Sequence, residues 1–142
     1  MIDHLRPFVD AGDVEGLYTA IPYGSLIGLS GELDDQGRLI TCLEPRSDNV
    51  GNAYQNLVHG GVIAGLLEHA AVMALIWEAR LDTIPRVVNI SVDFLRPAKL
   101  IETRARADVI KQGRRVANLR VTAWQDDEDR PVAAAHSHCL TT

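Results

Sequence analysis

The sequence is poor in cysteine and has no surplus of positive charge. Its only two cysteines, Cys42 and Cys139, lie far apart and do not have the spacing of metal ligands. We therefore expect free thiols in a reducing compartment, and place the protein in the cytoplasm. The net charge is −5, from 19 acidic and 14 basic residues. This balance argues against nucleic acid as a partner, because domains that bind nucleic acid usually carry a basic face.

Several other signals are missing as well. The first seven residues have neither a basic n-region nor an apolar h-region, so we expect no secretion signal. A Gly-x-Ser-x-Gly elbow is absent, as is a glycine-rich dinucleotide or phosphate loop, which disfavours serine hydrolases and nucleotide-binding folds. His136 and His138 share one face of a strand, but no further ligand stands at a suitable spacing. We predict neither a metal nor a cofactor.

One long apolar run is present, from Val62 to Trp77, and Glu68 and His69 are its main interruptions. As a helix, such a run of about 16 residues spans roughly 24 Å. That length is short for a bilayer and a charge lies in the middle, so we predict a buried helix and no membrane partner. The helix should begin at Gly60 and end near Arg80. It is apolar nearly all round, so protein should wrap it on most sides.

Two features of this helix point to chemistry. A carboxylate in apolar surroundings is costly unless it is paired, hydrated or protonated, which makes Glu68 a candidate acid or base. Gly60 and Gly61 lie at the helix start, where backbone N–H groups lack partners and a ligand oxygen can approach closely. The plainer alternatives are a carboxylate satisfied by a neighbouring group, and glycines that serve close packing.

The spacing of these features adds a constraint. Gly60 and Glu68 are eight residues apart, or roughly 12 Å along a helix, too far for both to touch one carbonyl. Two copies of the helix, antiparallel about a two-fold axis, would bring Gly60 of one chain to Glu68 of the other. We therefore hypothesise a site shared across an isologous dimer.

The remaining segments predict an α+β fold. Period-two alternation and turn signals favour about six strands. Hairpin-type connections between the last four imply an antiparallel meander beside the helix, in a single domain of residues 1–142 with a helical segment at 1–20. The expected elements are a helix over 8–20, a break at 21–24, a strand from Ile27 to Leu33, a strand over 38–44, a loop over 45–56, and strands over 86–97, 101–110, about 117–123 and 132–140.

Together these motifs resemble a known family. The sequence has His59-Gly60-Gly61-Val62-Ile63, then Glu68, then Asp93-Phe94-Leu95-Arg96-Pro97-Ala98, then Gly113-Arg114-Arg115-Val116. Their order and spacing resemble the hotdog-fold acyl-CoA thioesterases of the phenylacetate-pathway (PaaI-like) type, from about residue 21 to the end. The resemblance implies a curved antiparallel sheet wrapped round one long central helix. It also implies a homodimer, commonly a dimer of dimers, that hydrolyses an acyl- or aroyl-CoA to a carboxylic acid and coenzyme A without metal or cofactor.

The resemblance also implies roles for single residues. The catalytic carboxylate falls on Glu68, and the N–H that polarises the thioester carbonyl falls on Gly60. The asparagine that many members carry six residues before the histidine falls on Ala53, so Asn52 and Asn56 are the candidates for its role. The Ser or Thr that often contacts substrate or water falls on Val87.

The other candidates surround this centre. We expect His59 to orient the loop or the carbonyl through a hydrogen bond rather than to act as the base; the alternative is a capping or core histidine. Gly61 is expected beside the substrate. Arg suits bidentate phosphate contacts, so basic residues are candidates for the coenzyme A phosphates. These are Arg96, Lys99, Lys111, Arg114 and Arg115.

Two competing functions remain open at this point. One is a hotdog module that binds acyl-CoA without turnover, and Glu68 argues against it because a pure binder has no need of that carboxylate. The other is a hotdog dehydratase or isomerase, which would require an acid/base pair of the His–Asp kind. The central helix contains no Asp, so thioester hydrolysis is the leading prediction.

Overall fold

The N-terminal segment forms three short helices. The computed structural model describes residues 2–142. Helix α1 (Arg6–Ala11) ends at Gly12, whose φ of 70° lies in the left-handed region. Helix α2 (Val14–Thr19) begins at Asp13, whose carboxylate accepts a backbone N–H of the first turn at 2.8 Å. A single continuous helix was therefore a wrong prediction, because Gly12 ends one helix and Asp13 caps the next.

A third helix follows the predicted break. The break ends α2 at Thr19, as expected, but helix α3 (Pro22–Ile27) was not predicted. It has Pro22 in its first turn, where the missing N–H of proline costs nothing. Gly28, with a φ of 87°, ends it, and the first strand begins at Leu29 rather than at Ile27.

Eight strands follow the helices or flank the central helix. Six form one antiparallel sheet, as predicted, in the order β1-β2-β6-β7-β8-β5, and β3 and β4 form a separate two-stranded ribbon. The ribbon lies where we predicted only a loop. The strands are β1 (Leu29–Leu33), β2 (Leu39–Leu43), β3 (Val50–Asn52), β4 (Leu57–Val58), β5 (Arg86–Phe94), β6 (Thr103–Gln112), β7 (Val116–Trp124) and β8 (Ala133–Leu140).

The last four strands do not form the predicted meander. Strands β6, β7 and β8 are joined by hairpins, but β5 pairs with β8 at the edge of the sheet. The chain between β5 and β6 instead crosses to the ribbon, where the Val58 N–H donates to the Ala98 carbonyl at 2.9 Å. This backbone pairing is a long-range contact that alternation within each strand does not reveal.

The central helix α4 (Gly60–Trp77) lies against the inner face of the sheet. Small side chains on that face let the helix approach closely, so that its large buried residues, such as Leu66 and Met73, fill the space between. The alanines of this face are Ala105, Ala107, Ala117, Ala123, Ala133 and Ala135, all fully buried or nearly so. The helix has the length and composition to cross a bilayer, but half of it is buried inside this fold.

One strip of α4 is left without cover from its own chain. Gly61 and Glu68 are exposed, and Ala64, Gly65 and Val72 between and beyond them are half-buried. Protein therefore wraps the helix on the sheet side, as predicted, but not along this strip. The edge strand β5 beside it is exposed too, with Val88 63% and Phe94 59% accessible.

Candidate active site

The start of α4 presents one free backbone donor. The first four N–H groups of a helix have no partner inside it unless a cap supplies one. His59 does most of the capping here: its Nδ1 accepts the Gly61 N–H at 2.8 Å, and its carbonyl accepts Val62 N–H at 2.9 Å and Ile63 N–H at 3.2 Å. Of these four groups, the Gly60 N–H alone has no acceptor within residues 2–142. The helix dipole reinforces this donor.

The ribbon holds His59 in place. The His59 N–H donates to the Asn49 carbonyl at 2.8 Å, and the buried Asn49 side chain donates to the Ile27 carbonyl at 2.7 Å. A Cβ on Gly51 would lie 2.7 Å from the His59 Cα, so only glycine permits this approach of β3 to the helix start. Our sequence reasoning missed Asn49, since it is one of several polar residues in a turn-rich stretch.

The free Gly60 donor opens into a small apolar cavity of about 340 Å³. A Cβ on Gly60 would lie 3.4 Å from the Phe94 ring, which forms one wall. Arg96 lines the cavity as well, and its guanidinium donates to the Pro131 carbonyl at 2.7 Å. The structure thus brings Arg96 to the same cavity as Gly60.

Glu68 opens into a different and larger cavity, of about 580 Å³. The apolar run predicted a buried carboxylate, but Glu68 is exposed in the single chain because it lies on the uncovered strip of α4. The walls come from the strip, from the α2–α3 junction and from β5. They are lined by His4, Ala20, Ile21, Pro22, Tyr23, Gly61, Ala64, Gly65, Glu68, His69, Val72, Ile84 and Ile90.

His69 forms a buried side of this second cavity. Its ring lies 5.4 Å from the Tyr18 ring, centroid to centroid, and a Cβ on Gly24 would lie 3.0 Å from its Cε1. Burial lowers the pKa of His69 from 6.5 to about 4, so the imidazole is neutral at neutral pH. Its Nε2 is buried without a hydrogen-bond partner among residues 2–142.

Gly60 and Glu68 do not share a cavity within one chain. They are separated by roughly 12 Å along the helix, the constraint that the spacing already imposed. A single chain thus offers the donor at one place and the carboxylate at another.

Asn52 and Asn56 shape the ribbon turn instead of a cavity. The Asn52 side-chain oxygen accepts the Tyr54 and Gln55 N–H groups, each at 3.1 Å. Asn56 has a φ of 53°, and its carbonyl accepts the Leu100 N–H at 3.1 Å. Neither lines the Gly60 or the Glu68 cavity, so the prediction that one of them replaces the missing family asparagine is not supported by their placement.

Val87 also lies outside both cavities. It packs against the hydrophobic core and pairs with Cys139 of β8. A register shift between Val87 and Asn89 interrupts the pairing with β8, and it is Ile90 that lines the Glu68 cavity. Counting back from the Arg-Pro motif could not reveal a β-bulge.

Arg114 and Arg115 lie in the turn between β6 and β7. The Arg115 carbonyl accepts the Thr141 N–H at 2.9 Å, so this turn lies beside the end of β8, whereas Val132 at its start lines the Gly60 cavity. The length of β8 separates the two, roughly 23 Å at about 3.3 Å per residue. Within one chain, these arginines are therefore far from Gly60, and Lys111 lies near them at the end of β6.

Comparisons with known proteins agree with this architecture. The family model of the thioesterase superfamily matches residues 55–132. A medium/long-chain acyl-CoA thioesterase of Salmonella typhimurium, YigI, is 26% identical over 121 residues, covering 76% of this chain and 78% of that protein.

Two crystal structures show the same fold. One is a Chromobacterium violaceum protein with 36% identity and a TM-score of 0.80, over 99% of this chain and 97% of that one. The other, a Bacillus halodurans protein solved with CoA, has 20% identity and a TM-score of 0.76, over 99% and 92% of the two chains. The predicted hotdog fold is confirmed. Because the family model spans more than half of the chain, this protein belongs to the thioesterase superfamily and is a thioester hydrolase.

Proposed function

We propose that the protein hydrolyses an acyl- or aroyl-CoA thioester to the free carboxylic acid and coenzyme A, at sites shared between two subunits. One observation carries the proposal: the free Gly60 N–H and the Glu68 carboxylate lie on one helix but open into separate cavities. Neither cavity has both groups that acyl transfer to water requires. The name of the Salmonella relative supports acyl-CoA as the substrate class.

The exposed edge strand β5 supports a dimer. Its outer side carries unpaired N–H and C=O groups over nine residues, and a long free edge is normally covered in the functional state. In a dimer with a two-fold axis, β5 of one chain could pair antiparallel with β5 of the other, and this pairing would cover the free β5 edge of each chain. The resemblance to the hotdog family suggests the same dimer, and a dimer of dimers beyond it.

The positions of the cavities along β5 fit this pairing. Ile90, the middle residue of the strand, lines the Glu68 cavity, whereas Phe94 at its end lines the Gly60 cavity. An axis near the middle of β5 therefore places Glu68 of the partner subunit close to the axis, on the side from which the Gly60 cavity is approached. The same axis brings the β6–β7 turn of the partner subunit towards the Phe94 end.

That placement gives the arginines a role. Arg114 and Arg115 of the partner subunit would lie near the mouth of the Gly60 cavity, where Arg96 and Lys99 of the first chain also lie. Four positive charges there would suit the phosphates of coenzyme A, in a protein whose net charge is −5.

The chemistry is acyl transfer to water. The Gly60 N–H donates to the carbonyl oxygen and stabilises the negative charge that develops on it. In the first route, Glu68 takes a proton from water while the water oxygen adds to the carbonyl carbon. The C–S bond then breaks, and the leaving thiolate receives the proton. His59 acts only as a positioning residue, because its Nδ1 is engaged with Gly61.

A second route uses Glu68 as the nucleophile. Its carboxylate attacks the carbonyl carbon, coenzyme A thiolate leaves, and water hydrolyses the resulting anhydride. Label found in Glu68 after a single turnover in water labelled with oxygen-18 would identify this second route. Attack of water on the glutamyl carbonyl of the anhydride would leave the label in Glu68, whereas direct hydrolysis leaves it only in the product acid.

The proposal is tested with a panel of acyl- and aroyl-CoA esters and a free-thiol readout. Both cysteines of the protein are buried, so they contribute little background. We expect release of coenzyme A from at least one ester, and a rate lower by a factor of about 10² or more with Glu68→Gln. Binding of an ester without thiol release would instead indicate the non-catalytic module. The two free, buried thiols also support the proposed cytoplasmic location.

A further inference from the structure

The wall of the Glu68 cavity contains two polar groups that the proposed chemistry does not use. They are the hydroxyl of Tyr23, on α3, and the ring of His69, on α4 itself, whose Nε2 is buried without a hydrogen-bond partner among residues 2–142. His4 is the remaining polar side chain there besides Glu68, and it is exposed at the rim.

The Tyr23 hydroxyl faces one turn of α4, and His69 belongs to the next turn. A Cβ on Gly65 would lie 3.3 Å from the Tyr23 hydroxyl, so this hydroxyl faces a residue that has no side chain to offer it a partner. His69 is one turn further on, at i+4, with its ring edge against Gly24, the neighbour of Tyr23 in the chain. Residues 23–24 of α3 thus meet α4 on two consecutive turns, at Gly65 and at His69.

The burial of His69 has a cost that packing alone does not explain. His69 is only 9% exposed, and a buried nitrogen without a partner typically destabilises the folded state. Burial lowers its pKa to about 4, so the ring offers a neutral donor and acceptor at neutral pH. Gly24 is needed to make room for the ring, because a Cβ there would lie only 3.0 Å from Cε1 and 3.2 Å from Nε2.

We propose that Tyr23 and His69 are specificity-determining residues that bind a hydrogen-bonding oxygen, such as a hydroxyl, on the acyl group. This inference rests on the proposed function. Gly65 lies three residues before Glu68, so the oxygen would lie about one helical turn, about 5 Å, from the reacting carbonyl. Tyr23 supplies the accessible contact at the cavity wall, and the ring of His69, which lines the same cavity, supplies the second partner.

The segment that supplies Tyr23 also lies outside the matched family region of residues 55–132. The region that carries Gly60 and Glu68 is thus common to the superfamily, whereas the N-terminal wall of the cavity belongs to a separate part of the chain. Variation of that wall changes the acyl group that is accepted without touching the reacting centre.

The test compares kcat/KM for matched pairs of CoA esters, each pair differing by one hydroxyl on the acyl group. For at least one pair, we expect the native enzyme to prefer the hydroxylated ester by about tenfold or more, the discrimination that paired polar groups of a site provide. Tyr23→Phe and His69→Phe should each lower that preference to about threefold or less, because kcat/KM should fall more for the hydroxylated ester than for its unsubstituted partner.

Two control substitutions change a tyrosine and a histidine that lie outside the Glu68 cavity. Tyr54→Phe changes a fully exposed tyrosine in the ribbon turn, and His138→Phe an exposed histidine on β8, so both should keep the native preference. Tyr23 is 54% exposed, so its variant should fold even if His69→Phe does not.

Three results would overturn the inference. Equal turnover of both members of every pair by the native enzyme would mean that water alone satisfies these groups. A preference that survives both Tyr23→Phe and His69→Phe would place the recognition elsewhere. In either case the proposed thioesterase function would stand. Absence of turnover with every CoA ester would remove the inference together with the proposed function.

Discussion

The two cavities along α4 differ in what they offer to a substrate. The Gly60 cavity presents a backbone donor whose position depends on the helix cap, with Phe94 as an apolar wall. The Glu68 cavity presents a side chain, and its walls come from several separate parts of the chain, from His4 to Ile90. In the proposed mechanism, one cavity provides electrostatic stabilisation and the other provides the acid or base. The comparison therefore makes a clear prediction: each chain carries two half-sites, and a partner subunit is needed to complete either of them.

Removal of the carboxylate should have the largest effect. Glu68→Gln keeps the shape and polarity of the side chain but cannot accept a proton or attack a carbonyl. We expect kcat to fall about 10²–10⁴-fold with little change in KM, measured by thiol release. Size-exclusion chromatography should show an unchanged assembly. Glu15→Gln, an exposed glutamate on α2, is the control and should keep native activity; loss of activity in both variants would contradict the assignment.

Mixed dimers test whether the two cavities act across subunits. Glu68→Ala and Gly60→Val chains should each be inactive alone. Equal mixing with exchange of subunits should restore about one quarter of native activity, because half of the dimers are mixed and each has one intact pair of groups.

The control for the mixing experiment places both substitutions in one chain. Mixed with itself, that double variant forms no intact pair and should stay inactive. Failure of the single variants to rescue each other, after exchange is verified by differently tagged chains, would place Gly60 and Glu68 in separate sites.

The pH dependence of stability tests whether His69, on the buried side of the Glu68 cavity, is held in its neutral form. The unfolded chain protonates His69 near pH 6.5, whereas the folded chain resists protonation until about pH 4. The free energy of unfolding should therefore fall as the pH falls from about 6.5 to about 4, and His69 should account for about 3 kcal/mol of that decrease. Above this pH range, protonation of His69 should not affect the free energy of unfolding.

Urea unfolding of His69→Phe measures this contribution. The variant should lose that part of the pH dependence relative to the native protein, while His138→Phe should keep it. Tyr18, Glu68 and His4 also lie near His69 or its cavity, so the comparison is made between variants rather than from one profile. Parallel pH curves for the native protein and His69→Phe would show that the imidazole is not buried in a neutral form.

The smallest effect on activity is expected from the arginines that we propose to bind the coenzyme A phosphates. Substitution of Arg114 and Arg115 by Ala should raise KM for CoA esters about tenfold at low salt and leave kcat unchanged, because exposed charges bind phosphates without entering the chemistry. The effect should shrink as salt is added. Arg120→Ala, on the exposed outer face of β7, is the matched control, and an equal rise in KM for it would mean that net charge alone matters.

The fold was largely predictable because most of its signals are local. Alternation along β7 and β8 marks which side chains face α4, and the apolar run marks the helix itself. The errors arose where a long-range contact decides the structure. The β5–β6 connection follows the ribbon because of the hydrogen bond between Val58 and Ala98, and Pro22 begins a helix because the segment has a core to pack against.

The candidate site was predictable only in part. The His-Gly-Gly-containing start of α4 and Glu68 were visible in the sequence because glycines and a carboxylate stand out in an apolar helix. Asn49 was not visible, since its role depends on a backbone carbonyl that meets His59 across the ribbon. The roles predicted for Val87, Asn52 and Asn56 stay predictions: Val87 lies next to a β-bulge, and both asparagines lie in the ribbon turn, outside the two cavities of the single chain.

By itself, the sequence determined the six strands of the main sheet, the apolar helix and the eight-residue separation of its two proposed reactive features, because these depend on periodicity and on helical rise. Only the tertiary structure decided which helix N–H remains free and which strip of the helix lies uncovered. It also decided that the donor and the carboxylate open into different cavities. Those properties depend on which distant segments meet the helix, and no pattern along a single chain records such contacts.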